Sequence, residues 1–304
     1  MGRAAVLTAA GASLAIAIVL TLLGVGDDSN ALPNWQALVL GLVQGATELL
    51  PISSSGHLIV VPFLLDVDDV FLNSLAFSVM LHVGTVFALL GYFWRDWVRL
   101  VPAGLAAVRD RSFRGEQDRR LAWLLAASTI PGGIAALLFE DVIETTFRHV
   151  GLVAMTLVIG AGILWLADRW KGERRTIAAL TFPIAVAIGA AQALALIPGI
   201  SRSGISISAG RFAGLDRESA ARFSFLMATP ITAAAGLYEA RKLVSGESGI
   251  ELSAAPLVVG MIAALVSGLL AIHGLLRFLR TQSLDVFVWY RVVLAVVILV
   301  FWLS

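Results

Sequence analysis

The sequence contains no cysteine in its 304 residues. Disulfides, thiolate nucleophiles and cysteine-ligated metals or clusters are thereby excluded. Charge is scarce as well: Asp, Glu, Lys and Arg make up 14% of the chain, where a soluble domain carries about 25%. A water-soluble single domain is excluded on that ground. Lysine is nearly missing, with Lys171 and Lys242 the only two among 22 basic residues. What is abundant is apolar surface, 59% of residues, together with 28 Gly and nine Pro, both better tolerated in membrane helices than in soluble ones. The composition is that of an all-α polytopic membrane protein.

Stretches of roughly 20 apolar residues predict spanning helices. They fall at Ala4 to Gly24, Phe71 to Trp94, Leu121 to Phe139, Val150 to Ala167, Phe223 to Tyr238, Leu252 to Ile272 and Val286 to Ser304. Arginines orient them, because basic residues concentrate in cytoplasmic loops. The loops after Trp94 (Arg95, Arg99, Arg109, Arg111, Arg114, Arg119, Arg120) and after Ala167 (Arg169, Lys171, Arg174, Arg175) are expected inside, and the acidic loop Glu140 to His149 outside. The remaining Trp residues at span ends, Trp94, Trp97, Trp165 and Trp170, fit an interfacial aromatic belt.

Two apolar segments cannot be simple spans. Residues 35–65 hold Gln44, Glu48, Pro51, three serines and His57, and topology requires this segment to enter and leave on the outer side. Residues 176–215, broken at Pro198 and Gly199, must likewise start and end inside. Both read as re-entrant hairpins, which are allowed at membrane depth where protein or a watery cavity satisfies the broken backbone. At one constant offset Gln44 pairs with Gln192, Ile52 with Ile200, Ser53 with Ser201, Ser55 with Ser203 and Gly56 with Gly204. Three spans separate the copies, so the expectation is an inverted-topology repeat with hairpins meeting near the bilayer midplane. The domain plan is an extra N-terminal helix or signal-like segment in 1–30 and one membrane domain in 31–304. Within it, repeat 1 covers about 35–140 and repeat 2 about 176–304.

The copies differ where chemistry is expected. Glu48 faces Leu196, His57 faces Ile205, and Ser54 faces Arg202. Ionisable groups inside a membrane are costly and thus functional candidates. A hydroxyl beside an imidazole, as in Ser54 and His57, is a nucleophile with a base. The run Pro198-Gly-Ile-Ser-Arg-Ser-Gly204 offers small residues, hydroxyls, backbone N–H groups and an Arg fork, which together suit a phosphate. Other polar residues have plainer readings: Ser55, Ser206 and Ser208 in helix packing, His82 and His273 as packing or interface residues, and Arg291 snorkelling or paired with Asp285. Arg211, Arg217 and Arg222 follow the positive-inside pattern. The same inverted architecture also builds secondary transporters, so a lipid-phosphate flippase or anion carrier stands as the alternative.

Gln44-Gly-Ala-Thr-Glu48-Leu-Leu-Pro51-Ile-Ser-Ser-Ser-Gly-His57 and Pro198-Gly-Ile-Ser-Arg-Ser-Gly204 resemble the two signature motifs of the undecaprenyl-diphosphatase family, the bacitracin-resistance phosphatases. Phe223-Ser-Phe-Leu-Met-Ala-Thr-Pro230 resembles the stretch after the second motif. The resemblance implies an integral-membrane hydrolase that converts undecaprenyl diphosphate to the monophosphate and inorganic phosphate, recycling the carrier for cell-wall polymers. It implies a divalent cation, Mg2+ or Ca2+, and a multi-pass protein of the inner membrane whose site opens outward. Partners implied are the polyprenyl diphosphate, membrane lipids and, as a candidate, a second copy of the chain; no nucleic acid is expected. Carried over by position, Glu48 with Gln44 holds the metal or polarises the site, Ser54 attacks, and His57 is base or acid, with His57 open as nucleophile instead. Arg202 neutralises the diphosphate, with Ser53, Ser55, Gly199, Ser201, Ser203 and Ser206 as further substrate contacts. Two departures stand out: Ser206 sits at a family Thr, and Gln44 at a position where many members have Glu, removing one carboxylate.

Overall fold

The computed structural model describes residues 34–64, 69–110, 117–139, 150–170, 172, 174–247 and 254–303. The expected N-terminal helix Ala4 to Gly24, and the loop Glu140 to His149 expected outside, lie outside the described residues. Among the described residues the regular structure is helical: α1 (Asn34–Leu49), α2 (Ser54–Leu64), α3 (Leu75–Tyr92), α4 (Trp94–Arg109), α5 (Gln117–Leu138) and α6 (Val150–Arg169) in the first half. The second half holds α7 (Phe182–Gln192), extended by a 3-10 turn (Ala193–Leu196), then α8 (Arg202–Phe212), α9 (Arg217–Ser245), α10 (Ala254–Phe278) and α11 (Asp285–Leu303). Six of these, α3, α5, α6, α9, α10 and α11, are long and apolar enough to cross a membrane. They coincide with the six apolar stretches read downstream of residue 70.

Both suspect segments are broken helix pairs. Helix α1 stops at Pro51, which cannot continue a hydrogen-bonded helix, and α2 restarts at Ser54; α7 stops before Pro198 and α8 restarts at Arg202. At the two restarts Ser53 (φ 76°) and Ser201 (φ 73°) are the only non-glycine residues with positive φ among those described. Such backbone is costly without glycine and persists only where the surroundings enforce it. Each serine side chain then accepts from a backbone N–H of the new helix, Gly56 N to Ser53 Oγ (3.3 Å) and Gly204 N to Ser201 Oγ (3.1 Å).

Small residues let the hairpins touch the spans closely. A Cβ on Gly41 of α1 would fall 2.2 Å from the Gly260 carbonyl of α10, and one on Gly189 of α7 would fall 1.9 Å from the Ser128 carbonyl of α5. Glycine is therefore obligatory at both, the close backbone approach used between membrane helices. The first hairpin and its surroundings bury Ala37, Leu40 and Leu58 against the start of α3 (Phe71, Leu72, Phe77) and against Leu243 and Leu257 of α9 and α10. The second hairpin's outer ends lie elsewhere: the Leu180 carbonyl accepts from Arg120, and Arg211 reaches the Asp168 carbonyl at the end of α6.

The Arg-rich stretch after Trp94, expected as a loop, is in part a helix. In α4 the side chains of Val98, Val101, Leu105 and Val108 are exposed on one stripe while Leu100 and Ala107 are buried. Reading its arginines as loop markers overlooked this 3.6-residue period. The exposed apolar stripe suits a helix lying in the membrane interface.

Candidate active site

The two helix breaks converge, and the contacts between them are mutual. Gly199 N donates to Ser53 Oγ (3.1 Å), and Ser203 Oγ donates to the Leu50 carbonyl (2.9 Å). The φ of Gly199, 94°, is glycine territory. Thr156 of α6 donates to the Pro198 carbonyl at 2.5 Å, pinning the second break from behind.

Glu48, in the last turn of α1, is the hub. It is 7% exposed, and both its oxygens are engaged. Arg202 Nη2 lies 2.7 Å from Oε1, while Oε2 accepts from Gln44 Nε2 (3.1 Å) and from the Ser54 hydroxyl. Gln44 is one turn back on the same helix face, and Ser54 follows the break at Pro51. A carboxylate buried this deeply requires a paired cation and several donors, and these partners supply them. Arg202 is further oriented by a hydrogen bond from Nη1 to Thr232 of α9.

His82 of α3 joins the same carboxylate, its Nε2 3.2 Å from Glu48 Oε2. Its Nδ1 donates to the Ser78 carbonyl (2.6 Å), so the ring is held between two oxygens. The plainer sequence reading of His82 as a packing residue is thus corrected. His57 takes a different place from the one its neighbour suggested. Nδ1 donates to the Ser53 carbonyl (2.7 Å), and Nε2 meets the Tyr290 hydroxyl (2.7 Å) with the rings stacked. Because a carbonyl only accepts, Nδ1 carries the proton and Nε2 is the nitrogen with a free lone pair. The expected Ser54–His57 pair is not formed; Ser54 donates to Glu48.

Arg291 also departs from expectation. Asp285 pairs with Arg169 (2.7 Å), and Arg291 neither snorkels nor reaches it. The Arg291 side chain is 0% exposed and Nη2 donates to the carbonyls of Gly199 (2.7 Å) and Ile200 (3.0 Å). It passes so close to Gly160 that a Cβ there would lie 2.0 Å from Nη2. His82, Thr232, Tyr290 and Arg291 are the members that sequence reasoning missed. An arginine six residues into an apolar span was a signal for the last of them; Thr232 and Tyr290 had none.

The other expected substrate contacts divide. Ser53, Ser55, Ser201, Ser203 and Gly199 line the two breaks, with Ser53 and Ser55 Oγ atoms 3.4 Å apart and Ser201 and Ser203 Oγ atoms 3.3 Å apart. Ser206 instead donates to the Arg202 carbonyl (2.6 Å) and meets Ser224 Oγ of α9 (2.6 Å), a packing role between α8 and α9. Ser208 bonds the Gly204 carbonyl (2.7 Å), again packing. His273 is exposed at the end of α10, near the Tyr92 ring.

For a cation, the donor set is short but not absent. Gln44 Oε1 is buried without a hydrogen-bond partner next to the Glu48 carboxylate. Among the described residues no three His, Asp or Glu side chains group to hold a metal. A divalent ion held by Gln44 and Glu48 would need further ligands from phosphate oxygens and water, as Mg2+ commonly takes.

Residues 37–297 match the family described as bacitracin resistance protein BacA. Curated relatives named undecaprenyl-diphosphatase include that of Gemmatimonas aurantiaca, 46% identical over 87% of this chain and 96% of the relative. Those of Moorella thermoacetica (45%; 88% and 98%) and Desulforudis audaxviator (43%; 88% and 97%) are similar over the same extent.

Proposed function

We propose that this chain, which belongs to the bacitracin resistance protein BacA family, uses the Glu48 cluster to release inorganic phosphate from undecaprenyl diphosphate. It is a multi-pass membrane hydrolase, an undecaprenyl-diphosphatase that returns the lipid monophosphate for reuse. The observation that carries the site assignment is the convergence of Ser54, Gln44, His82 and Arg202 on one buried carboxylate.

Ser54 Oγ attacks the terminal phosphorus, and its proton passes to Glu48, to which it is already bonded. The bond from that phosphorus to the bridging oxygen breaks and the lipid monophosphate leaves. Water then displaces the phosphoryl group from Ser54: Glu48 returns the proton it took to Ser54 Oγ, re-forming hydroxyl and carboxylate, and the water oxygen leaves with its protons as part of the inorganic phosphate. Phosphoryl transfer asks for positioning and charge stabilisation, and the Arg202 fork with the backbone N–H groups of the second break meets the negative oxygens. His57, with Nε2 available once Tyr290 yields, accepts or returns protons at the same break. Gln44 Oε1 and Glu48 would hold Mg2+ or Ca2+, which when bound supplies further neutralisation of the phosphate oxygens.

We read the two hairpins as an inverted repeat opening to opposite faces. The support is the paired positive-φ serines, the matched glycine contacts of α1 and α7, and the separate surroundings of the hairpin ends. With Arg95 and Arg99 after α3, Arg169 at the end of α6, Arg217 and Arg222 at the start of α9 and Arg277 at the end of α10 inside, the first hairpin opens to the outer face of the plasma membrane. The test is phosphate release from undecaprenyl diphosphate by detergent-purified protein with and without a divalent metal. Metal-dependent release is expected; no release from the detergent-purified protein would favour a carrier, which needs a sealed membrane to act.

A further inference from the structure

At the arginine-rich end of the bundle, away from Glu48, the ends of α6, α8 and α10 and the start of α9 enclose a cavity of about 440 Å3, within the range of small-ligand sites. Five arginines line it, Arg169, Arg174, Arg211, Arg217 and Arg280, against the acids Asp168, Asp216 and Glu218. The acids are already engaged. Asp168 takes a two-pronged contact from Arg217 (2.5 and 3.0 Å) and the Leu284 N–H (3.1 Å). Glu218 takes Arg280 (2.8 Å), and Asp216 caps α9 through Ser219 N (2.7 Å). Arg174 and Arg211 are left without a carboxylate partner among the described residues.

Arg211 is the telling member. Its side chain is buried, its Nη1 and Nη2 bond only backbone carbonyls of Leu215 and Asp168 (2.5 and 3.5 Å), and its Nε has no partner. A buried guanidinium with an idle donor, in a polar cavity with a surplus of cations, is suited to an anion. Beside the mouth lies exposed aromatic surface: Trp170 packs edge-on against Phe212 at 5.6 Å, and the Arg169 guanidinium sits 4.4 Å over Trp165. A ligand with a phosphate head and an apolar tail would satisfy both surfaces, and basic pockets between helix ends hold such head groups in other membrane proteins.

We propose that this cavity is a binding site for a phosphate group, free or esterified to an apolar tail, separate from the catalytic cluster and independent of whether that cluster hydrolyses diphosphates. Purified full-length protein carrying Arg202→Ala, which removes the phosphate fork at the hairpins, is titrated calorimetrically with decyl phosphate, dihexanoyl phosphatidylglycerol and inorganic phosphate. One equivalent of an ester probe binds, more weakly as salt rises. Adding Arg174→Gln weakens it about tenfold, the loss of one charge-assisted bond, and adding Arg211→Lys weakens it further. If inorganic phosphate binds as well as the esters, the ligand is free phosphate; if the esters bind more tightly, it is a lipid head group. Arg174 is exposed and in neither ion pair, so Arg174→Gln melts at the temperature of its parent, which reports folding. Absence of any binding to the Arg202→Ala protein, or affinity unchanged within twofold by Arg174→Gln, overturns the proposal.

Discussion

Replacing Arg291 by Met separates positioning from stability. The substitution keeps length and apolar volume but deletes the two hydrogen bonds to the Gly199 and Ile200 carbonyls. Leaving two buried carbonyls unmet costs about 1–3 kcal/mol each. Against this, Arg291 is a fully buried cation whose Nε and Nη1 have no partner. Exchanging a buried ion for an apolar side chain commonly regains about 1–4 kcal/mol. The two effects are of similar size and opposite sign, so the melting temperature in detergent is expected to move by only a few degrees. The activity is not protected by that cancellation. The freed carbonyls immediately precede Ser201 and Arg202, so the guanidinium on Glu48 loses its fixed approach. Loss of one charge-assisted contact of about 1.5–3 kcal/mol corresponds to roughly 10- to 150-fold in kcat/KM. Arg291→Lys keeps the charge but not a fork spanning two carbonyls, and falls between. Phosphate release and thermal melting on the same preparations decide it. A folded Arg291→Met protein with native kcat/KM would refute the positioning argument.

Further outcomes follow from the same geometry. Gly199→Ala, at φ 94° with its Cβ 1.9 Å from Thr156 Oγ1 and 2.8 Å from the Val153 carbonyl, is expected to destabilise by about 3 kcal/mol or more; Gly162→Ala, with open space around it, should melt no lower than the parent. Tyr290→Phe removes the hydroxyl on His57 Nε2; activity is expected to change its pH profile and fall about tenfold while the melting temperature holds, and an unaltered profile would detach Tyr290 from the chemistry. His82→Ala deprives the Glu48 carboxylate of one of its donors, with an expected loss of about 10-fold in kcat and partial recovery in His82→Gln.

Composition and periodicity made the spans legible, because an apolar run of membrane length has few other fates. The breaks in the two helix pairs were legible for a different reason: proline, glycine and serines interrupt apolar stretches. Glu48 and Arg202 stood out because charge is so rare in this chain. Tertiary partnership was not legible. Ser54 sits near His57 in sequence yet bonds Glu48, since the backbone turn at Ser53 (φ 76°) leaves His57 facing Tyr290 from the last helix. Arg291 illustrates the same limit, for its carbonyl partners belong to a break some ninety residues upstream. In α4 a real helical period was masked by the strength of the arginine signal.

The central claim is that the Glu48 carboxylate drives phosphoryl transfer through Ser54. The most direct measurement is phosphate release from undecaprenyl diphosphate by Glu48→Gln protein, which keeps the shape and the Gln44 contact but removes the charge that pairs with Arg202 and accepts the serine proton. A loss of about 10³-fold relative to the native chain is predicted, in protein that elutes and melts as folded. Turnover at the native rate by that folded variant would contradict the account.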